Sequence, residues 1–126
     1  MRFLPEAFLG LLCLAASCAT APKPPPAPQK ITFGLEQFRP DGLRGPPDGL
    51  TSLSFEFCIP DTPEARAEVA SIDPTIGIMP GGRGRVGCGP GQCLCIGSTH
   101  QPRWREILMR LSALPYVTRI QECFWE

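Results

Sequence analysis

Seven cysteines lie along the 126-residue chain, and five of them, Cys58, Cys88, Cys93, Cys95 and Cys123, fall in the part that can fold. Thiols at this density allow three kinds of chemistry: disulfide stapling, ligation of a soft metal, and thiol exchange. The run Cys88-x4-Cys93-x-Cys95 is compact enough to gather thiolates on one face. It is not a C-x-x-C pattern, so it matches neither a zinc-ribbon pair nor a thioredoxin-type motif. Disulfides are the leading reading of all five, with no metal and no cofactor expected. A metal or redox site built on Cys88, Cys93 and Cys95 is the alternative.

Other chemistry finds less support. The segment Gly81-Gly82-Arg83-Gly84-Arg85-Val86-Gly87 is rich in glycine and carries two arginines. It lacks the lysine and hydroxyl residue of a P-loop and the strand-then-helix setting of a dinucleotide fingerprint. Arg83 and Arg85 remain a weak anion-binding candidate, and a solvated hairpin arm is the plainer reading. No G-x-S-x-G elbow is present, and the one histidine, His100, reads as a loop or cap residue. Glu56, Asp61, Glu64, Glu68, Asp73, Glu106 and Glu122 are spread as caps and solvated faces. No catalytic residue is expected. The charges balance, with 12 basic and 12 acidic residues, and no basic stripe suits nucleic acid.

The elements that must position these residues begin near Leu50. Leu53, Phe55, Phe57 and Ile59 alternate with polar neighbours, which predicts a half-buried strand ended by Pro60. Asp61 or Thr62 can cap a helix opened by Pro63 and Glu64, with Ala65, Val69 and Ile72 as its apolar stripe. Arg83–Cys88 is expected as a second, weak strand, Gly89-Pro90-Gly91 as a turn, and Gln92–Ser98 as a third strand. Trp104, Ile107, Leu108, Leu111 and Leu114 form the apolar face of a second helix, which Pro115 ends. Tyr116–Trp125 alternates as a last strand. There, Phe124 should complete the core, while Tyr116 and Trp125 suit packing or a protein contact.

Strand–helix–strand–strand–helix–strand is the element order of a ferredoxin-like α+β sandwich, with two helices on one face of an antiparallel sheet. Residues 50–126 are the expected domain, and so small a core benefits from staples. If Phe55 and Phe57 face the helices, Cys58 points to the other face. With Leu94 and Ile96 facing in, Cys93 and Cys95 would join Cys58 there, and with Ile120 and Phe124 facing in, so would Cys123. Cys58 and Cys88 would then compete for Cys93 and Cys95, two bridges could form, and Cys123 would be the odd thiol.

Upstream, Ala7–Ala16 is an apolar run of about ten residues, half what a bilayer span needs. It ends in Leu14-Ala15-Ala16-Ser17-Cys18, and this resembles the lipobox of bacterial lipoproteins. The resemblance covers only the first twenty or so residues. It implies removal of residues 1–17 as a signal peptide, acylation of Cys18, and membrane attachment through that lipid. Ala19 after the cysteine, rather than aspartate, is the pattern linked with transfer to an outer membrane. The competing cut, after Ala19-Thr20-Ala21, would place Pro22 directly after the scissile bond. Cys13 lacks a preceding small residue and reads as part of the apolar run.

Residues 18–30 contain Pro22-Lys23-Pro24-Pro25-Pro26-Ala27-Pro28, a semi-rigid spacer rather than a core-former. Residues 31–49 are expected to be irregular: Ile31, Phe33 and Leu35 give one short strand or a docked segment, followed by two turns. Together these features point to a non-enzymatic, lipid-anchored envelope protein that binds or scaffolds a partner, without nucleic acid.

Overall fold

A computed structural model describes residues 27–124. The elements are a helical turn α1 (Ala27–Lys30), strand β1 (Ser54–Pro60), helix α2 (Pro63–Ile72), strand β2 (Gly77–Pro80), strand β3 (Gln92–Ser98), helix α3 (Trp104–Ser112) and strand β4 (Gln121–Glu122). The fold is α+β: a four-stranded antiparallel sheet, in the order β2-β3-β1-β4, with two helices of full length. Signal peptide, Cys18 and most of the spacer lie outside the described residues, as does Trp125. Among the described residues, no helix is long and apolar enough to cross a membrane.

The local signals act where the sequence places them. Thr62 caps α2 by accepting a hydrogen bond from the Ala65 amide at 3.1 Å, with Pro63 at the first helical position. Asp73 ends α2 in extended backbone, and its carboxylate turns back onto the Thr75 amide at 2.9 Å. Trp104, Ile107, Leu108 and Leu111 make the buried face of α3. They pack with Ala65, Val69 and Ile72 of α2 onto Phe55, Phe57 and Ile59 of β1, forming one core.

The second strand departs from expectation. It is Gly77–Pro80, paired with β3 from Gly77↔Ile96 to Pro80↔Cys93, while Arg83–Cys88 is a turn-rich arm. Positive φ angles at Gly81, Gly84 and Gly87 prevent that stretch from extending as a strand.

The facing of β3 is also opposite to expectation. Phe57 lies across from Cys95, Ile59 from Cys93 and Phe55 from Gly97, and residues directly opposite share a face. Cys93 and Cys95 therefore enter the helix-covered core, and Leu94 and Ile96 take the other side. Size decides this. A Cβ added at Gly97 would stand 2.6 Å from the Phe55 ring, so the rings of β1 need the small residues of β3 beneath them.

Residues 31–49 are part of the domain. Ile31 and Phe38 are core residues, and Phe38 packs on Trp104 with centroids 5.1 Å apart. Arg44 grips both carboxylate oxygens of Glu122, at 3.0 and 3.1 Å, and lies over the Phe38 ring. Thr99, fully buried, donates to the Gly42 carbonyl at 2.7 Å and accepts from the Leu53 amide at 2.9 Å. The end of the expected spacer is also seated: Lys30 is buried, and its Nζ donates to the Leu114 carbonyl at 3.1 Å. The last strand is two residues long rather than ten, and Phe124 is 58% exposed instead of completing the core.

Candidate functional site

The face of the sheet turned away from the helices carries Glu56 and Cys58 from β1, Leu94 and Ile96 from β3, and Gln121 from β4. The glycine-rich arm, residues 81–91, folds across it. Cys88 reaches down from the arm to Cys58 and forms the disulfide, closing a loop of sequence separation 30. Gly82 and Gly84 press on Leu94, where an added Cβ would stand 3.0 and 2.8 Å from its side chain. Only the absence of a side chain lets the arm lie so close.

Glu56 is the centre of this layer. It is 3% exposed, accepts from the Val86 amide at 2.6 Å, and accepts from Gln121 Nε2 at 3.3 Å. The Cys123 thiol hydrogen-bonds to the same carboxylate. Burial, then that bond and the Glu56 charge, push the Cys123 thiol up to about 11, against a lowering pull from Arg85. Glu56 is thus a buried organising carboxylate rather than a solvated one. Period-two reading could have flagged it, since Glu56 sits between two core phenylalanines on a face whose cover was read as solvent.

The remaining thiols occupy the other side of the sheet. Cys93 donates to Asp61 Oδ1 at 3.3 Å, and Asp61 is also paired with Arg66. Burial first, then the Asp61 hydrogen bond and charge, raise the Cys93 thiol above its ordinary value. Burial, with Cys93 beside it, pushes Cys95 up to about 12. Nucleophilic attack and metal ligation both use the thiolate, and burial here holds the protonated form.

Of the five cysteines, one bridge joins Cys58 to Cys88, and Cys93, Cys95 and Cys123 are unbridged and buried. The expected competition for Cys93 and Cys95 does not arise, because their side chains leave the sheet on the face opposite Cys58. Cys88, Cys93 and Cys95 are split in the same way. Among the described residues, no group of three His, Cys, Asp or Glu side chains is placed to hold a metal.

Arg83 lines an open cleft of about 370 Å³ together with Asp61, Gly81, Cys88 and the Gly89–Gln92 turn. Arg85, exposed on the arm, acts on Cys123 instead. His100 is an exposed loop residue whose amide donates to Ser98 Oγ. Tyr116 is partly buried against the core and donates to Glu68 at 2.6 Å; burial and that carboxylate raise its pKa. Family models, curated proteins and solved structures were compared with the chain, and none matches it.

Proposed function

We propose that this protein is a lipid-anchored component of a bacterial cell envelope, held at the outer membrane by acylated Cys18. Its stapled α+β domain has a binding or scaffolding role rather than an enzymatic one. The observation that carries this reading is the seating of the chain where the spacer ends. Lys30 is buried against Leu114, and Ile31 pairs with Ile120, so a tether leaving at residue 26 pulls on a fixed point of the domain. The eight residues between Cys18 and Ala27 reach about 25 Å when extended as polyproline II. A Cys18→Ser variant should lose fatty-acyl labelling and membrane retention; unchanged partitioning would defeat the anchor.

We also assign the domain to the ferredoxin-like class, on its β-α-β-β-α-β element order and the central pairing of β1 with β3. An experimental structure with the two helices on opposite faces of the sheet would refute that. The second reading, a thiol-redox or metal-handling lipoprotein, rests on Cys88, Cys93 and Cys95. It predicts stoichiometric metal, or native-state alkylation of Cys93 and Cys95 as fast as an exposed thiol. The scaffolding reading predicts neither, with three thiols titrating only after denaturation.

A further inference from the structure

We infer that the Cys58–Cys88 disulfide is a releasable latch: its reduction by a dithiol frees the arm and uncovers the Glu56–Cys123 layer while the helix-covered core stays folded. This goes beyond the proposed envelope role and does not depend on the lipid anchor.

Three observations converge on it. First, the arm contributes nothing to the main core. None of residues 81–91 belongs to the core cluster, and neither does Leu94 beneath them. Second, only the two ends of the arm are tied to the strands by hydrogen bonds, Gly81 and Gly82 to Gln92 and Met79, and Gly89 and Gly91 to Gln92 and Asp61. Between them, residues 83–88 are held to the sheet by the disulfide, the Val86–Glu56 hydrogen bond and the contact of Gly84 with Leu94, with Arg85 also engaged. The hydrogen bonds of Gly87 and Cys88 to Arg83 lie within the arm and move with it. Third, the bond is reachable from the Cys58 side, Cys88 itself being only 1% exposed. Cys58 is the half-buried partner, and the cleft lined by Gly81, Arg83 and Gly89–Gln92 opens onto Cys88.

The chemistry balances with a dithiol as reductant. One thiolate of the reagent attacks the Cys58 sulfur and expels Cys88, which takes up a proton. The second thiol of the reagent then displaces Cys58 from the mixed disulfide. Two electrons pass to the bridge, the reagent departs as its own disulfide, and Cys58 and Cys88 are left as thiols. Between its anchored ends, residues 83–88 then have only the Val86–Glu56 bond, the engaged Arg85 and packing contacts to hold them. Six residues of the Gly81–Gly91 stretch are glycine, so the released segment gains much backbone freedom.

The test uses the full-length protein, unreduced and after dithiothreitol in native buffer, followed by amide hydrogen exchange and alkylation mapped by mass spectrometry. On reduction, the Val86 amide should exchange, and Cys123 should alkylate, at least tenfold faster. In the reduced protein the Leu108 amide should still exchange at least tenfold more slowly than Val86, and Cys95 should alkylate at least tenfold more slowly than Cys123, because the core opens only globally. A Cys58→Ser/Cys88→Ser variant should reproduce the reduced state without reductant; if it does not fold, the reduced wild-type chain still decides. Unchanged Val86 exchange, a bridge that resists native reduction, or Leu108 exchanging as fast as Val86 in the reduced protein would each overturn the latch. So would a Val86→Pro variant that exposes Cys123 as fully as reduction does.

Discussion

Gly42 tests whether residues 31–49 are built into the domain. Its φ is +83°, and an added Cβ would stand 1.8 Å from the Thr99 carbonyl oxygen, a backbone atom next to a fully buried side chain. Gly81 is the internal control: its φ is +78°, but nothing lies within 4 Å of the Cβ position. Left-handed backbone costs an L-residue about 1–2 kcal/mol, and alanine offsets about 0.4–1 kcal/mol of that by restricting the unfolded chain. Gly81→Ala should therefore destabilise by about 0.5–1 kcal/mol. Gly42→Ala adds overpacking of about 1–3 kcal/mol. It also displaces the Thr99 hydroxyl from the Gly42 carbonyl and the Leu53 amide, so the total should reach about 3–4 kcal/mol. For a domain of this size that separates the two variants by at least about 10 °C in Tm. Thermal and urea unfolding of both, followed by circular dichroism, make the measurement. Equal midpoints would refute the docking of Gly42 against Thr99, and with it the packing of this segment on the domain.

Three further outcomes are expected. Reducing the Cys58–Cys88 bridge, of separation 30, should lower stability by about 3–4 kcal/mol on loop entropy; urea midpoints with and without reductant check this. Lys30→Ala should remove one of the two donors to the Leu114 carbonyl, the Val117 amide remaining, cost about 0.5–1.5 kcal/mol, and speed limited proteolysis near residue 30. Burial raises the folded-state pKa of Cys95 from 9.0 to about 12, so its contribution is complete below about pH 9 and is lost as pH climbs towards 12. The unfolded chain releases the proton first, so stability should fall by up to about 1.4 kcal/mol per pH unit above 9. Cys123 acts in the same direction up to about 11. Cys95→Ala should flatten the decline between pH 9 and 11, and an equally steep fall in that variant would reject the assignment.

Much of the architecture was legible because particular residues carry it. Thr62-Pro63 and the Trp104–Leu111 stripe locate the helices, and the alternation of Phe55, Phe57 and Ile59 locates the first strand. What escaped has physical causes. Cys93-Leu94-Cys95-Ile96 is apolar in both phases, so period two cannot choose its face; the bulk of Phe55 and Phe57 chose it, and Gly97 was the available clue. Gly77–Pro80 carries two strand-weakening residues, yet it forms an edge strand because β3 offers it a partner. The open-face layer was hidden for the same reason as β2: both depend on where the glycines let the arm turn, and φ is not written in composition. The pairing of cysteines followed from facing, so an inverted β3 carried that error directly into the bridge count.

The position of the bridge in the chain also bears on how the protein is made. A polypeptide emerges N-terminus first, and of the domain's five cysteines Cys88 is the first to appear after Cys58. Order of appearance alone cannot fix the pairing, because Cys93 follows Cys88 by five residues, about a second or less of synthesis, whereas disulfides take seconds or longer to form. The pairing of β3 with β1 turns Cys93 and Cys95 away from Cys58, so the strand must dock before the bond closes if the competing thiols are to be withdrawn.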